Sequence, residues 1–202
     1  MVTTLWQSSL LPLHWGWENG PLENFQVLML LVGGATAAWA ALRQSDRAVR
    51  VFWWMAAVIW LILVGRELAW GAALLPPMGF DDHGPIISSR VLWYRPAVPW
   101  ICGALVLVAF VRMVRNAAFG RVLVPLLREG AWPWFRLGLL VLCVVLATVA
   151  EEHGKAHLPF LEKSALIVSE EMFEVWAYLA LWLAQWQVIC HTNGWSARSR
   201  LY

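Results

Sequence analysis

The chain has 202 residues, of which 60% are hydrophobic and 14% charged, with a formal net charge of +2. Soluble domains are about 45–50% apolar and about 25% charged, so this composition excludes a soluble monomeric domain and a disordered chain. The 16 tryptophans suit a membrane protein, because tryptophan is favoured at the lipid–water interface. The cysteines, Cys102, Cys143 and Cys190, lack paired spacing and are interpreted as apolar packing residues. The sequence has no basic patch interleaved with aromatic residues, the pattern that would indicate nucleic-acid binding.

Five apolar segments are long enough to be transmembrane helices, because a hydrocarbon core about 30 Å thick needs roughly 20 helical residues. In chain order the predicted spans are residues 23–42, 49–75, 96–114, 134–153 and 160–190. Charged, basic or Pro/Gly-rich connections separate the first four, and a tight hairpin at 154–159 is predicted before the fifth. The sequence therefore predicts one all-α domain over residues 1–202, an integral membrane bundle of about five transmembrane helices.

Lysine and arginine predict the orientation of this bundle, since both are enriched in cytoplasmic loops. Ten of the fifteen basic residues lie on one side: Arg43, Arg47, Arg50, Arg112, Arg115, Arg121, Arg128, Arg136, Arg198 and Arg200. With five spans, this places the N-terminus outside and the C-terminus in the cytoplasm. The prediction is a multi-pass protein of a bacterial inner membrane, in contact with the lipid bilayer.

The acidic residues follow the opposite distribution. Eleven of the thirteen lie on or towards the predicted outer face: Glu18, Glu23, Glu67, Asp81, Asp82, Glu151, Glu152, Glu162, Glu170, Glu171 and Glu174. A helical rise of 1.5 Å per residue places the glutamates of four predicted helices about 21 to 28 Å above their inner ends. The sequence thus predicts a carboxylate layer in the outer third of the membrane.

Helical spacing extends these carboxylates into polar stripes, since residues three or four apart share a helix face. The stripes are Glu23–Gln26, Thr148–Glu151–Glu152 and Glu170–Glu171–Glu174–Tyr178–Gln185. Ionisable groups are costly when they face lipid, so the stripes are predicted to point into the bundle. Arg66 is the only basic residue at the same predicted depth, so we expect the remaining carboxylates to hold protons, a base or a cation.

Two sets of candidate site residues follow. The candidates for catalysis are Arg66, Glu67, Glu171 and Glu174. The candidates for binding a divalent metal are Glu23, Glu67, Glu151, Glu152, His153, Glu170, Glu171 and Glu174, whose oxygen and nitrogen atoms suit Mn, Fe or Zn. The Glu-x-x-His motif of helical di-metal bundles is missing from the sequence, and interpreting His153 and His157 as interface residues is favoured over ligation.

Three sequence motifs carry a resemblance. They are Glu18-Asn19-Gly20-Pro21-Leu22-Glu23, Arg66-Glu67-Leu68-Ala69-Trp70-Gly71 and Glu170-Glu171-Met172-Phe173-Glu174. The chain thereby resembles a group of uncharacterised bacterial polytopic inner-membrane proteins with the patterns E-[DN]-G-x-x-E, R-E-[IL]-[SA]-W-G and E-E-x-x-E. The resemblance implies a polytopic membrane fold with a shared acidic site, and no reaction. Members of the group often have Gln-Arg after Trp-Gly, whereas Ala72 and Ala73 follow here.

Three functions are compatible with an outward-facing, carboxylate-rich pocket. The first is a membrane-embedded enzyme or binding protein, metal-dependent or not, acting on a lipid or on a substrate at head-group level. The second is an accessory or assembly subunit whose acids pair with a basic membrane partner, or a homo-oligomer. The third is proton or cation transport, since intramembrane carboxylates mark ion pathways.

Overall fold

A computed structural model describes residues 11–81, 84–155 and 163–198. Six α-helices dominate it: α1 (Pro21–Arg43), α2 (Arg47–Glu67), α3 (Val98–Arg115), α4 (Val124–Arg128), α5 (Trp134–Lys155) and α6 (Lys163–Arg198). The described strands are β1 (Phe80–Asp81) and β2 (Gly84–Pro85), an antiparallel pair in which Phe80 faces Pro85. Short 3₁₀ turns cover Leu13–Gly16 and Ala69–Leu74, and a π-helical turn covers Phe119–Leu123. The fold is all-α in character, as predicted.

Among the described residues, four helical segments are long and apolar enough to cross a membrane: Leu13–Arg43, Arg47–Glu67, Arg95–Arg115 and Trp134–Glu151. They contain the first four predicted spans, apart from differences at their ends. Helix α6, which contains most of the predicted fifth span, is not among the four. Its glutamates, glutamines and Tyr178 lower its mean hydropathy. These helices fit a membrane protein. The crossing of the membrane by α6 and the orientation of the bundle stay predictions.

The predicted end of the second span, residue 75, is wrong. Helix α2 ends at Glu67, because Ala69, Trp70 and Gly71 have positive φ angles of 44°, 60° and 103°. This reversal folds the indole of Trp70 over Gly65, where an added Cβ would lie 2.6 Å from the Trp70 ring. The Tyr94 hydroxyl donates a hydrogen bond of 2.7 Å to the Trp70 carbonyl and holds the turn. Local backbone geometry therefore overrides the apolar run.

Other predicted boundaries also differ from the described helices. Helix α6 continues to Arg198, eight residues beyond the predicted end of the last span at 190. Residues 116–133, predicted to be a connection, contain the π-helical turn and α4. Helix α5 passes through Gly154 to Lys155, so the predicted hairpin at 154–159 does not begin at Gly154. The rest of that hairpin, residues 156–159, lies outside the described residues.

The five long helices pack in an arc. Helix α3 packs on α2, α2 on α1, α1 on α6, and α6 on α5. At one end of the bundle, measured along the helix axes, α1 and α6 begin and α2 and α5 end. We name this the glutamate end. At the opposite end, the arginine end, Arg121 pairs with Asp46 at 3.3 Å and His191 contacts Glu129 at 2.6 Å. Side chains of α2 and α5 both reach α6, and a recess lined by these three helices runs along the bundle.

A buried polar contact joins three helices at mid-bundle, and we name it the Gln185 link. The Trp60 indole donates to the Gln185 side-chain oxygen at 2.6 Å. The Gln185 amide donates to the Gly33 carbonyl at 2.9 Å and to the Thr36 hydroxyl at 2.8 Å. Gly33 permits this approach, since a Cβ there would lie 2.6 Å from three Trp60 ring atoms. The link therefore sets the spacing of α1, α2 and α6.

Candidate functional site

Arg66, in the last turn of α2, joins this helix to α6 at the glutamate end. Its guanidinium nitrogens lie 3.5 Å from carboxylate oxygens of Glu67 and Glu174, and one of them donates to the Tyr178 hydroxyl at 3.3 Å. The Tyr178 hydroxyl in turn donates to Glu67 at 2.5 Å. The Arg66 side chain is 60% exposed, whereas that of Glu67 is 8% exposed. The network thus has a buried carboxylate at its base and a guanidinium at the surface.

A cleft of about 260 Å³ lies beside this network, between α2, α5 and α6, and we name it the glutamate cleft. Each helix contributes one face, because the lining residues recur at spacings of three and four. Its polar lining consists of Arg66, Thr148, Glu151, Glu170, Glu174 and Tyr178. Apolar side chains such as Leu63, Val144 and Leu181 complete it. Three carboxylates and one guanidinium therefore surround a space large enough for a small polar group.

The predicted carboxylate layer is divided between two sides of α6. Glu151, Glu170 and Glu174 line the cleft, whereas Glu23, Glu67 and Glu171 are not among its described lining residues. The Gln26 amide, fully buried on α1, donates to the Glu171 carboxylate at 2.7 Å and to the Glu171 carbonyl at 3.1 Å. The backbone N–H of Asn19 donates to the Glu23 carboxylate. Glu171 thus contacts α1, and Glu23 contacts the turn that precedes this helix.

The predicted metal site can be traced in part among the described residues. Among them, no group of three or more His, Cys, Asp and Glu side chains is placed to hold a metal ion. The side chains of the predicted ligands Glu152 and His153 lie outside the described part of the structure. The Arg66 guanidinium bridges the carboxylates of Glu67 and Glu174. The described residues thus hold an arginine-bridged pair of carboxylates where the sequence predicts metal ligands.

Two of the sequence motifs build the corner that covers the glutamate end. Pro21 starts α1 at a position where its missing N–H costs no helix hydrogen bond. The Glu18 carboxylate accepts a hydrogen bond from the Ile87 N–H at 2.8 Å, and the Asn19 amide donates to the Ala73 carbonyl at 3.3 Å. Ala73 is buried at this contact. Glu18 and Glu23 therefore have structural roles here.

Thr148 and Tyr178 line the cleft and lie on the predicted polar stripes, but they are not among the predicted site residues. Tyr178 lies four residues after Glu174, and Thr148 lies three before Glu151. The spacing alone identified their helix faces. The cross-helix contact of Tyr178 with Glu67 depends on how α2 and α6 pack, whereas the Thr148 hydroxyl donates to the Val144 carbonyl of its own helix.

We expect Tyr178→Phe to lower the free energy of unfolding by about 1–3 kcal/mol, because it leaves a buried carboxylate without its tyrosine donor. Thermal unfolding of the purified protein in mild detergent, followed by circular dichroism, measures the loss. Tyr94→Phe is the matched control, since the Tyr94 hydroxyl bonds a neutral and half-buried partner, the Trp70 carbonyl. An equal loss in both variants would show that the Tyr178–Glu67 contact has no special weight.

Comparison with known proteins adds no family to this description. No family model, curated protein or solved structure matches the chain. Its function is therefore inferred from the cleft, the Arg66 network and the helices that hold them.

Proposed function

We propose that the protein is a multi-pass protein of a bacterial inner membrane that binds a cationic group in the glutamate cleft, at head-group level. The observation that carries this proposal is the cleft lining, in which three glutamates and one arginine surround about 260 Å³. In the proposed topology α6 also crosses the membrane, the N-terminus is outside and the C-terminus is cytoplasmic. The cleft then opens near the outer surface.

The position of Arg66 supports a cationic ligand over an anionic one. Its guanidinium already contacts the carboxylates of Glu67 and Glu174, so an anion would have to compete with both for it. Glu151 is exposed at the edge of the cleft and Glu170 is half-buried inside it. An ammonium group can donate to several carboxylate oxygens at once, and charge-assisted hydrogen bonds of this kind are the strong ones.

Binding is supported more directly than catalysis. Of the four predicted catalytic residues, Arg66 and Glu174 line the cleft. Glu67 acts on the cleft through Arg66 and Tyr178, and Glu171 is held by Gln26 on the side facing α1. If the bound group reacts, Glu174 is the carboxylate placed to accept a proton from it.

We expect Glu174→Gln to weaken binding of ethanolamine on the order of tenfold, because a charge-assisted hydrogen bond contributes about 1.5–3 kcal/mol. Calorimetric titration of ethanolamine into the full-length protein in lipid nanodiscs measures the affinity. Glu129→Gln, the same change at the arginine end, is the matched control and should retain the wild-type affinity. Absence of ethanolamine binding by the wild type, or equal affinity in both variants, would contradict the proposed function.

The accessory-subunit hypothesis has one observation in its favour. Glu151 is exposed on α5, beside apolar residues such as Val144 and Val145 that are also exposed. A basic side chain of a partner helix, or of a second copy, could reach the cleft along this face. Co-purification of a stoichiometric membrane protein with the wild type, and its loss in Glu151→Gln, would support this function instead.

Proton or cation transport receives less support from the described residues. Towards the arginine end, Trp60 donates to Gln185 and Gln185 donates to α1, and the recess beside them is lined mostly by apolar side chains. The polar lining of the glutamate cleft therefore gives way to apolar lining about half-way along α2. Uptake of a cation into proteoliposomes by the purified protein alone would favour transport over binding.

A further inference from the structure

A second recess lies directly below the glutamate cleft, and we name it the apolar groove. It has a volume of about 210 Å³ and is bounded by the same three helices, with Phe52 and Ile59 on α2, Leu137 on α5 and Val188 on α6. Leu181 lines both the groove and the cleft. The two recesses therefore adjoin each other along α6.

The sequence spacing shows the same continuity on each helix. On α2 the lining positions run 52, 53, 56, 59, 60, 63 and 66, and on α6 they run 170, 174, 177, 178, 181, 184, 185 and 188. On α5 they run 137, 140, 144, 147, 148 and 151, and Pro133 precedes this helix. Steps of one, three and four keep every set on one helix face. Each stripe is polar at the glutamate end and apolar towards the arginine end.

The groove presents an apolar surface although Trp60 and Gln185 belong to its lining. The Trp60 N–H is used by the Gln185 oxygen, and both Gln185 amide bonds go to α1. The Trp60 N–H and the Gln185 amide are thus both engaged in the Gln185 link. Ile59 is 43% exposed at the rim, so the groove is accessible from the side of the bundle.

The combined length of the glutamate cleft and the apolar groove suits a hydrocarbon chain. From Phe52 to Arg66 the α2 lining spans 14 residues, or about 21 Å at the rise of an α-helix. Half of a hydrocarbon core about 30 Å thick is roughly 15 Å, the depth that one lipid chain occupies. A ligand whose charged group lies in the cleft would therefore extend its hydrocarbon chain along the groove. The path of about 21 Å is longer than half of the hydrocarbon core, roughly 15 Å.

We propose that the apolar groove holds the hydrocarbon chain of the ligand whose cationic head group binds in the glutamate cleft. The ligand class is then a long-chain amphiphile with an ammonium head group, such as an alkylamine or an amine-bearing lipid. This inference rests on the proposed function for its head group and adds the chain. Charge complementarity at one end and an apolar lining at the other favour such a molecule over a second copy of this protein.

Photocrosslinking with two hexadecylamine probes tests the groove. One probe carries a diazirine next to the amine and the other carries it near the methyl end, and each is added to the full-length protein in phosphatidylcholine nanodiscs. We expect the first to label residues 144–151 and 170–178, and the second to label residues 52–60 and 133–137. Glu174→Gln should reduce labelling by both probes on the order of tenfold, in line with the loss of a charge-assisted hydrogen bond.

A bulky substitution in the groove separates chain binding from head-group binding. Ala56→Phe fills the groove, and Ile59→Trp at its rim serves as a second variant that leaves buried residues unchanged. Both should reduce labelling by the methyl-end probe while ethanolamine binding is retained. Ala104→Phe, on the exposed surface of α3, is the matched control and should leave the labelling pattern unchanged.

Each outcome of the experiment is decisive. If the amine-end probe labels the cleft but the methyl-end probe labels exposed α3 as strongly as the groove, the chain proposal fails and the proposed function stands. If neither probe labels the cleft of the wild-type protein more strongly than the cleft of the Glu174→Gln variant, the proposed function fails as well. If native mass spectrometry shows a dimer and Ile59→Trp makes it monomeric, the groove is an interface between copies and the chain proposal is overturned.

Discussion

Gln185→Leu is expected to lower the free energy of unfolding by about 2–4 kcal/mol, since it removes three hydrogen bonds from the centre of the bundle. The Trp60 indole N–H, in a residue 3% exposed, is then left without its acceptor. Leucine has nearly the same volume, so packing changes little and the loss reports the polar contacts. The measurement is the unfolding transition in mild detergent, followed by circular dichroism.

Gln187→Leu is the matched control for this prediction. Gln187 lies two residues further along α6, is half-buried and donates a single bond of 3.1 Å to the Ala131 carbonyl. Its loss should cost about 1 kcal/mol, as expected for one hydrogen bond. Similar transitions for both variants would mean that the Gln185 link does not hold the three helices together.

Gly33→Ala is expected to destabilise the protein by about 1–3 kcal/mol, although alanine is the better helix former. The new Cβ would lie 2.6 Å from three atoms of the Trp60 ring, closer than packed atoms approach. The ring is buried and bonded to Gln185, so relief of the clash requires α1 and α2 to separate or the Gln185 link to break. The same unfolding measurement detects this loss.

A second glycine isolates the clash from helix propensity. Gly103 lies within α3, and a Cβ added there would have nothing within 4 Å, so Gly103→Ala should stabilise by up to about 1 kcal/mol. Trp60→Phe combined with Gly33→Ala should recover part of the lost stability, because the smaller ring relieves the contact. Stabilisation by Gly33→Ala would contradict the close packing of α1 on α2.

The sequence predicted the helices better than their ends. Apolar runs with charged boundaries placed both ends of α1, α3 and α5 within a few residues, because helix length follows from the thickness of the hydrocarbon core. The end of α2 was predicted eight residues too late. Leu68–Leu75 is as apolar as a span, and only the positive φ angles at 69–71 and the Trp70–Gly65 contact end the helix.

The candidate site shows the same division. Spacings of three and four placed Glu170, Glu174 and Tyr178 on one face, and this required no structure. The separation of Glu171 from Glu174 could not be predicted, since the two are neighbours on the same helix surface. Their different surroundings arise because Gln26 of α1 contacts one and Arg66 of α2 contacts the other. Which helix lies on which side of α6 is a property of the bundle.

The sequence by itself determined that this is an all-α chain with apolar helices of membrane-spanning length, whose glutamates lie mostly at one end and whose arginines lie mostly at the other. These properties depend on composition and on the helical repeat, which act within each segment. The tertiary structure decided that the glutamates divide between a cleft and the α1 interface, and that an apolar groove continues the cleft. Those features arise from contacts between residues more than 100 positions apart, such as Trp60 with Gln185, which no local pattern specifies.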